Sequence, residues 1–188
     1  MNTTMMIVIA VAVLAIVALA IAAYIWMRNR RLETEMRARF GPEYDRLVAE
    51  SGTRRRAQER LLGREKRVAA YAIHPLAQAD RARYEEQWHD VQAEFVDNPN
   101  AAIDRADRVL TDVMADRGYP MADFDRRSAD LSVDHPSVVQ NYRRAHDIAL
   151  RKRDGRATTE DLRQAMINYK ALFSELVSDS VSDAQPAR

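Results

Sequence analysis

The first segment of the chain is uniformly apolar. Residues 5–27 form a run of 23 residues without a charged side chain. As a helix this run is about 34 Å long, slightly more than the roughly 30 Å of a bilayer's hydrocarbon core. A cleaved signal peptide has a basic start and a shorter apolar stretch, and this segment has neither. The pattern therefore predicts a retained transmembrane helix (a signal anchor) over 5–27.

The residues that follow the apolar run predict its orientation. Tyr24 and Trp26 lie near its end, where amphipathic aromatic rings favour the membrane interface, and Arg28, Arg30 and Arg31 come next. Because basic residues are retained on the cytoplasmic side, residues 1–4 are expected outside the cell. The rest of the chain is then cytoplasmic, at a bacterial inner membrane. The alternative is that the domain is exported.

The remainder of the chain has helical periodicity. Apolar residues recur at 3.6-residue spacing and no alternating strand pattern occurs, so we predict an all-α protein: a transmembrane helix followed by a compact bundle of about six to seven helices. The clearest stripe is Tyr84, Trp88, Val91 and Phe95, which places Trp88 at the centre of the core. The predicted divisions are a juxtamembrane helical stalk at 28–52, a bundle at 53–177 and a disordered tail at 178–188.

Turn and cap residues predict where several helices begin and end. Gly41-Pro42 ends the first helix, and Thr53 is a candidate N-cap for a helix that runs to about Ala72. Asn98-Pro99 is expected to begin another helix, and a shorter one is predicted over about 123–131. Thr158 and Asp161 have the spacing of a capping box.

Charge is distributed unevenly over the 188 residues, although the formal net charge is only +1. Residues 28–75 carry 13 basic and 7 acidic side chains, whereas residues 76–188 carry 16 basic and 21 acidic ones. The basic excess is concentrated in one predicted helix, and its members are Arg54, Arg55, Arg56, Arg60, Arg64, Lys66 and Arg67. This helix is a candidate contact for anionic lipid head groups. The alternatives are a solvated face and a helix docked on the acidic remainder.

Nucleic acid is not an expected partner. The domain as a whole is nearly neutral, and the basic helix lacks the interleaved aromatic residues typical of single-strand binding.

Recognisable catalytic motifs do not occur in the sequence. It has no phosphate-binding loop, nucleophile elbow or zinc-binding His-Glu-x-x-His, and without cysteine it has no thiolate chemistry. No cofactor is predicted. A metal-dependent hydrolase remains the alternative function, provided that at least three side chains converge from the set His89, Asp90, Asp134, His135, His146 and Asp147.

One polar stretch is a second candidate site. Asp130, Asp134 and His135 lie in an otherwise apolar segment and form a candidate binding loop. The structural alternative is that Asp134 accepts hydrogen bonds from the first N–H groups of the helix after Pro136.

Four stretches together resemble an uncharacterised family of bacterial proteins that are membrane-anchored or described as secreted. They are Arg39-Phe40-Gly41-Pro42-Glu43-Tyr44-Asp45, the Trp88 to Asp97 region, Asp130 to Pro136, and Thr159 to Arg163 with Tyr169 and Phe173. The resemblance implies a shared fold and brings no activity. We therefore expect a non-enzymatic, membrane-anchored helical module that binds an unknown protein partner or organises the envelope.

Overall fold

The computed structural model describes the backbone of residues 3–178 and the side chains of residues 13–28 and 30–178. Eight helices and no strand occur in this range, which confirms the all-α prediction. Seven helices follow the N-terminal one, where about six to seven were predicted. The helices are α1 (Thr3–Phe40), α2 (Pro42–Ser51), α3 (Arg54–Val68), α4 (Gln78–Asp97), α5 (Pro99–Asp116), α6 (Phe124–Asp134), α7 (Val139–Arg153) and α8 (Thr159–Ser178). Residues 1–2 and 179–188, to which parts of the predicted N-terminal segment and tail belong, lie outside the described residues.

Helix α1 has two parts with different surroundings. Its apolar side chains from Val13 to Met27 are exposed, and by length and composition it is the one described helix able to cross a membrane. Beyond Met27 the same helix continues for 13 residues, about 20 Å, and ends with the fully buried Phe40. The apolar segment is thus joined to the folded part of the chain without a break in the helix.

A small hydrophobic cluster forms directly after the apolar segment. We call it the juxtamembrane core, and it comprises Phe40, Tyr44, Leu47, Ala57 and Leu61, with Met36 and Val48 packed against it. Its helices fold back on one another at two glycines, Gly41 and Gly52, whose positive φ angles of 46° and 71° are conformations that other residues rarely adopt. The cluster contains residues of α3 as well as of α1 and α2. The division between stalk and bundle at residue 53 stays a prediction.

The larger cluster, the bundle core, is built from two helical hairpins. Helices α4 and α5 form one hairpin and α7 and α8 the other, and α8 packs on α5. Tyr84 at the start of α4 donates a hydrogen bond to Asp116 at the end of α5 (2.6 Å), and Tyr169 of α8 donates one to Asp107 of α5 (3.1 Å). Both helix pairs, α4 with α5 and α5 with α8, are therefore joined by a tyrosine–carboxylate hydrogen bond as well as by apolar contacts.

Three of the predicted helix N-caps are confirmed. The Thr53 side chain accepts a hydrogen bond from the N–H of Arg56, and the Asn98 side chain accepts one from Ala101. Thr158 and Asp161 bond reciprocally: the Thr158 N–H donates to the Asp161 carboxylate (2.9 Å), and the Asp161 N–H donates to the Thr158 hydroxyl (3.1 Å). Local sequence is sufficient to define these helix starts.

Two helix ends differ from their predictions. Helix α3 ends at Val68 rather than near Ala72, and α6 continues to Asp134. The segment after α3 leaves the helix because it packs across the end of α5, where the His74 N–H donates to the Arg117 carbonyl (3.0 Å). A Cβ at Gly118 would lie 2.3 Å from the Ala72 carbonyl oxygen, so only glycine admits this crossing.

Substitution of Trp88 tests whether its face of α4 belongs to the bundle core. Its side chain is 4% exposed and stacks on Phe173 with ring centroids 4.5 Å apart. We expect Trp88→Ala to lower the free energy of unfolding by about 3–5 kcal/mol, measured by urea denaturation of the full chain in nonionic detergent. The control is Val96→Ala on the same helix, which is 83% exposed and should change stability by less than about 0.5 kcal/mol. Equal effects of the two changes would contradict the assignment of this face to the core.

Candidate functional site

The predicted basic helix, α3, has side chains in two different environments. Arg64 and Arg67, near its C-terminal end, turn into the protein and make ion pairs with Glu43 and Asp130. Arg54, Arg55, Arg56, Arg60 and Lys66 are exposed. Helix α3 is therefore docked on the protein near its C-terminal end and exposed near its N-terminal end. The docked alternative applies to Arg64 and Arg67, and the solvated alternative applies to the five exposed residues.

Glu43 is the centre of the docked end. This carboxylate is fully buried, at the second position of α2, and helices α2, α3 and α7 all donate to it. Arg64 Nη1 donates to Oε1 at 2.6 Å, and Arg143 donates from Nη1 to Oε2 at 2.5 Å and from Nη2 to Oε1 at 3.1 Å. Arg46, one turn along α2, and Gln140 of α7 complete the set at 2.8–3.1 Å. We call Glu43 with these four partners the Glu43 cluster.

The charges of the Glu43 cluster determine what it can do chemically. Burial alone would raise the pKa of Glu43, but the hydrogen bonds from Arg46 and Arg143, the charge of Arg143 and the hydrogen bond from Arg64 together lower it to about 2. A carboxylate held so firmly in its ionised form is a poor general acid or base near neutral pH. Glu43 is therefore placed to hold helices together rather than to transfer protons.

A cleft of about 450 Å³ opens beside the Glu43 cluster, between α2 and α3 on one side and α6 and α7 on the other. Arg46, Arg60, Arg64 and Arg143 line it, and so do Glu50, Asp125 and Asp147. With Glu43 beneath them, the four guanidinium groups are matched by four carboxylates. This balance gives the cleft no net charge with which to attract an anion.

Asp130 makes the second contact between α3 and the bundle. It is 1% exposed and accepts from Arg67 Nε and Nη2 at 2.9 and 2.5 Å, and from the Tyr71 hydroxyl at 2.9 Å. Ser132, two residues further along α6, accepts from Arg64 at 3.0 Å. The C-terminal end of α3 is thus joined to α6 directly, and to α7 through Glu43, by buried polar groups. Nearer the start of α3, Ala57 and Leu61 make apolar contacts with α1 and α2.

The candidate polar loop is not a loop. Asp130 and Asp134 lie within α6, and only His135 follows it. Asp134 is not the N-cap of α7, because the N-cap position is Val138, which has no side-chain cap hydrogen bond. Instead, Asp134 accepts from the Tyr119 hydroxyl at 3.0 Å. His135 is 1% exposed, with Nδ1 3.6 Å from Glu175 of α8. Asp130 faces α3 while His135 faces α8, so the three residues do not form one site.

The histidines proposed for the hydrolase alternative lie on different parts of the bundle. His89 is exposed on α4, His135 is buried beside α8, and the His146 ring stacks on Phe124 with centroids 3.5 Å apart. Burial lowers the pKa of His146, which favours its neutral form. Among the side chains that the structure describes, no group of three or more His, Cys, Asp or Glu residues could hold a metal ion. The convergence that a hydrolase needs is not found in this part of the chain.

Of the Glu43 cluster, only Arg64 was among the candidate site residues that the sequence indicated. Arg46 is visible as an i, i+3 partner of Glu43, and Glu43 belongs to one of the four stretches that carry the family resemblance. Arg143 lies 100 residues further along the chain. No local sequence pattern connects Arg143 with Glu43, so the burial of Glu43 was not predictable.

Comparison of the chain with protein-family models, with curated proteins and with solved structures finds no match.

The pKa of Glu43 predicts how stability depends on pH. Between its ordinary value of 4.5 and about 2, the unfolded chain binds a proton at this residue that the folded chain does not. Stability from Glu43, about 3 kcal/mol in full, is therefore present above pH 4.5 and is lost as the pH falls towards 2. We expect the difference in unfolding free energy between the wild type and Glu43→Gln to shrink by about 2 kcal/mol between pH 6 and pH 3.

The control for this measurement is Glu85→Gln, at an exposed position on α4. Its unfolding free energy should follow that of the wild type over the same pH range. A constant difference between Glu43→Gln and the wild type would show that Glu43 titrates normally in the folded protein.

Proposed function

We propose that this protein is a non-enzymatic helical module anchored in the bacterial inner membrane by α1, with its folded part in the cytoplasm, where it binds a protein partner or organises the envelope. The observation that carries the proposal is the continuity of α1. The exposed apolar face from Val13 to Met27 and the buried Phe40 belong to one helix, so an anchor and a folded module are joined without a flexible linker.

The positions of the polar groups favour a binding module over a hydrolase. The Glu43 cluster and the Asp130 contact use their charges to join helices, and the three histidine–aspartate pairs lie apart. The partner is a protein in this proposal, because the exposed surface of the bundle carries charges of both signs. Two open clefts show this mixture: the one beside the Glu43 cluster and one between α7 and α8 that Arg144, Arg151 and Asp161 line.

Membrane anchoring is tested by fractionation. We expect the full-length protein to stay in the membrane pellet after an alkaline carbonate wash, because removal of an apolar helix of this length from the bilayer is very unfavourable. Recovery of a shortened, soluble form that begins near residue 24 would contradict the anchor and favour an exported domain.

Orientation is tested separately by protease treatment of inverted inner-membrane vesicles, in which the cytoplasmic face is outside. Digestion of residues 40–178 supports the cytoplasmic placement, and protection of this region contradicts it. A crosslinked partner identified by mass spectrometry from intact cells would then define the interaction.

A further inference from the structure

The turn between α2 and α3 lies on the membrane side of the juxtamembrane core. Arg54, the first residue of α3, makes an ion pair with Glu33 of α1 at 2.7 Å, whereas Glu65, eleven residues later, pairs with Arg39. Helix α3 therefore runs in the same direction as the last part of α1, away from the apolar segment. Its N-terminal end is the end nearest to that segment.

The height of this turn above the bilayer follows from helix geometry. Glu33 is six residues beyond Met27, about 9 Å along the helix axis. The polar head-group layer adds about 5–8 Å to each side of the hydrocarbon core. The start of α3 thus lies at the outer edge of the head groups, within about one screening length at physiological salt.

Five exposed arginines are gathered at this height. We call them the juxtamembrane arginine cluster, and they are Arg28, Arg31, Arg54, Arg55 and Arg56. Arg28, Arg31 and Arg56 have no ion-pair partner among the described side chains, and the Arg55 side chain is 88% exposed beside Glu59. Arg30 contributes differently, since its guanidinium lies 4.1 Å above the ring of Trp26.

We propose that the juxtamembrane arginine cluster binds the phosphate groups of anionic bilayer lipids and so holds the bundle in one orientation against the membrane. The inference rests on the proposed function, because it takes α1 to span the bilayer. It also divides α3 by role. Arg54, Arg55 and Arg56 contact lipid, whereas Arg64 and Arg67 fasten the same helix to Glu43 and Asp130.

The test uses the full chain in phosphatidylcholine vesicles. Because the chain has no cysteine, Ala49→Cys on the last turn of α2 gives a single dye position beside the cluster. Energy transfer is measured to a trace of acyl-chain-labelled phosphatidylglycerol and, separately, of equally labelled phosphatidylcholine. We expect phosphatidylglycerol to be enriched about fivefold at low salt, the factor that one arginine near the surface supplies. The enrichment should disappear at 1 M salt, where the screening length is about 3 Å.

Two triple variants with the same change in net charge separate the cluster from general charge attraction. Replacing Arg54, Arg55 and Arg56 with Gln should lower the enrichment several-fold. Replacing Arg108, Arg126 and Arg144, which are exposed on α5, α6 and α7, with Gln should leave it unchanged. Circular dichroism of both variants should match the wild type, since none of the six arginines is buried.

Equal transfer to the two lipids at low salt would overturn the proposal, and so would an equal loss of enrichment in the two triple variants. Failure of the proposed function has a different signature. In that case the chain leaves the vesicles on carbonate washing, whichever lipid is present.

Discussion

The buried carboxylate of Glu43 is the interaction on which the arrangement of the described helices depends. A fully buried charge is costly unless it is paired, and here three guanidinium groups and one amide from α2, α3 and α7 surround it. Each donor comes from a helix that must be correctly placed for the pairing to form. Apolar packing alone leaves two separate clusters, the juxtamembrane core and the bundle core. The Glu43 cluster, together with the Asp130 contact, joins them.

If α1 spans a bilayer as proposed, this coupling also determines how the bundle is held relative to the membrane. Phe40 and Tyr44 lie on either side of the Gly41-Pro42 turn and are both fully buried, so α2 keeps a fixed position relative to the end of α1. Glu43 lies between them in the sequence, and its hydrogen bonds with Arg143 fix α7 relative to α2. A chain of buried contacts therefore leads from the apolar helix to the bundle. In the proposed function, the orientation of the bundle is a property of the fold rather than of a linker.

Features that depend on near neighbours in the sequence were predictable, and features that depend on distant ones were not. The helical periodicity of the Trp88 stripe, the Asn98 cap and the Thr158–Asp161 capping box need only a few residues, and all three are confirmed. The end of α3 at Val68 depends on the crossing at Gly118, and the burial of Glu43 depends on Arg143. The basic excess of α3 was visible in the sequence, but which arginines turn inward is determined by carboxylates on α2 and α6.

A double-mutant cycle on Glu43 and Arg143 measures whether the buried carboxylate joins the juxtamembrane core to the bundle core. The unfolding free energies of Glu43→Gln, Arg143→Gln and the double variant are measured by urea denaturation of the full chain in nonionic detergent, with the exposed Arg55–Glu59 pair as the matched control. We expect Glu43→Gln to lower the free energy of unfolding by about 3–5 kcal/mol. The coupling energy between Glu43 and Arg143 should exceed about 1 kcal/mol, against about 0.5 kcal/mol or less for the control pair. Additivity of the two changes within about 0.3 kcal/mol would contradict the claim that Glu43 joins the juxtamembrane core to the bundle core.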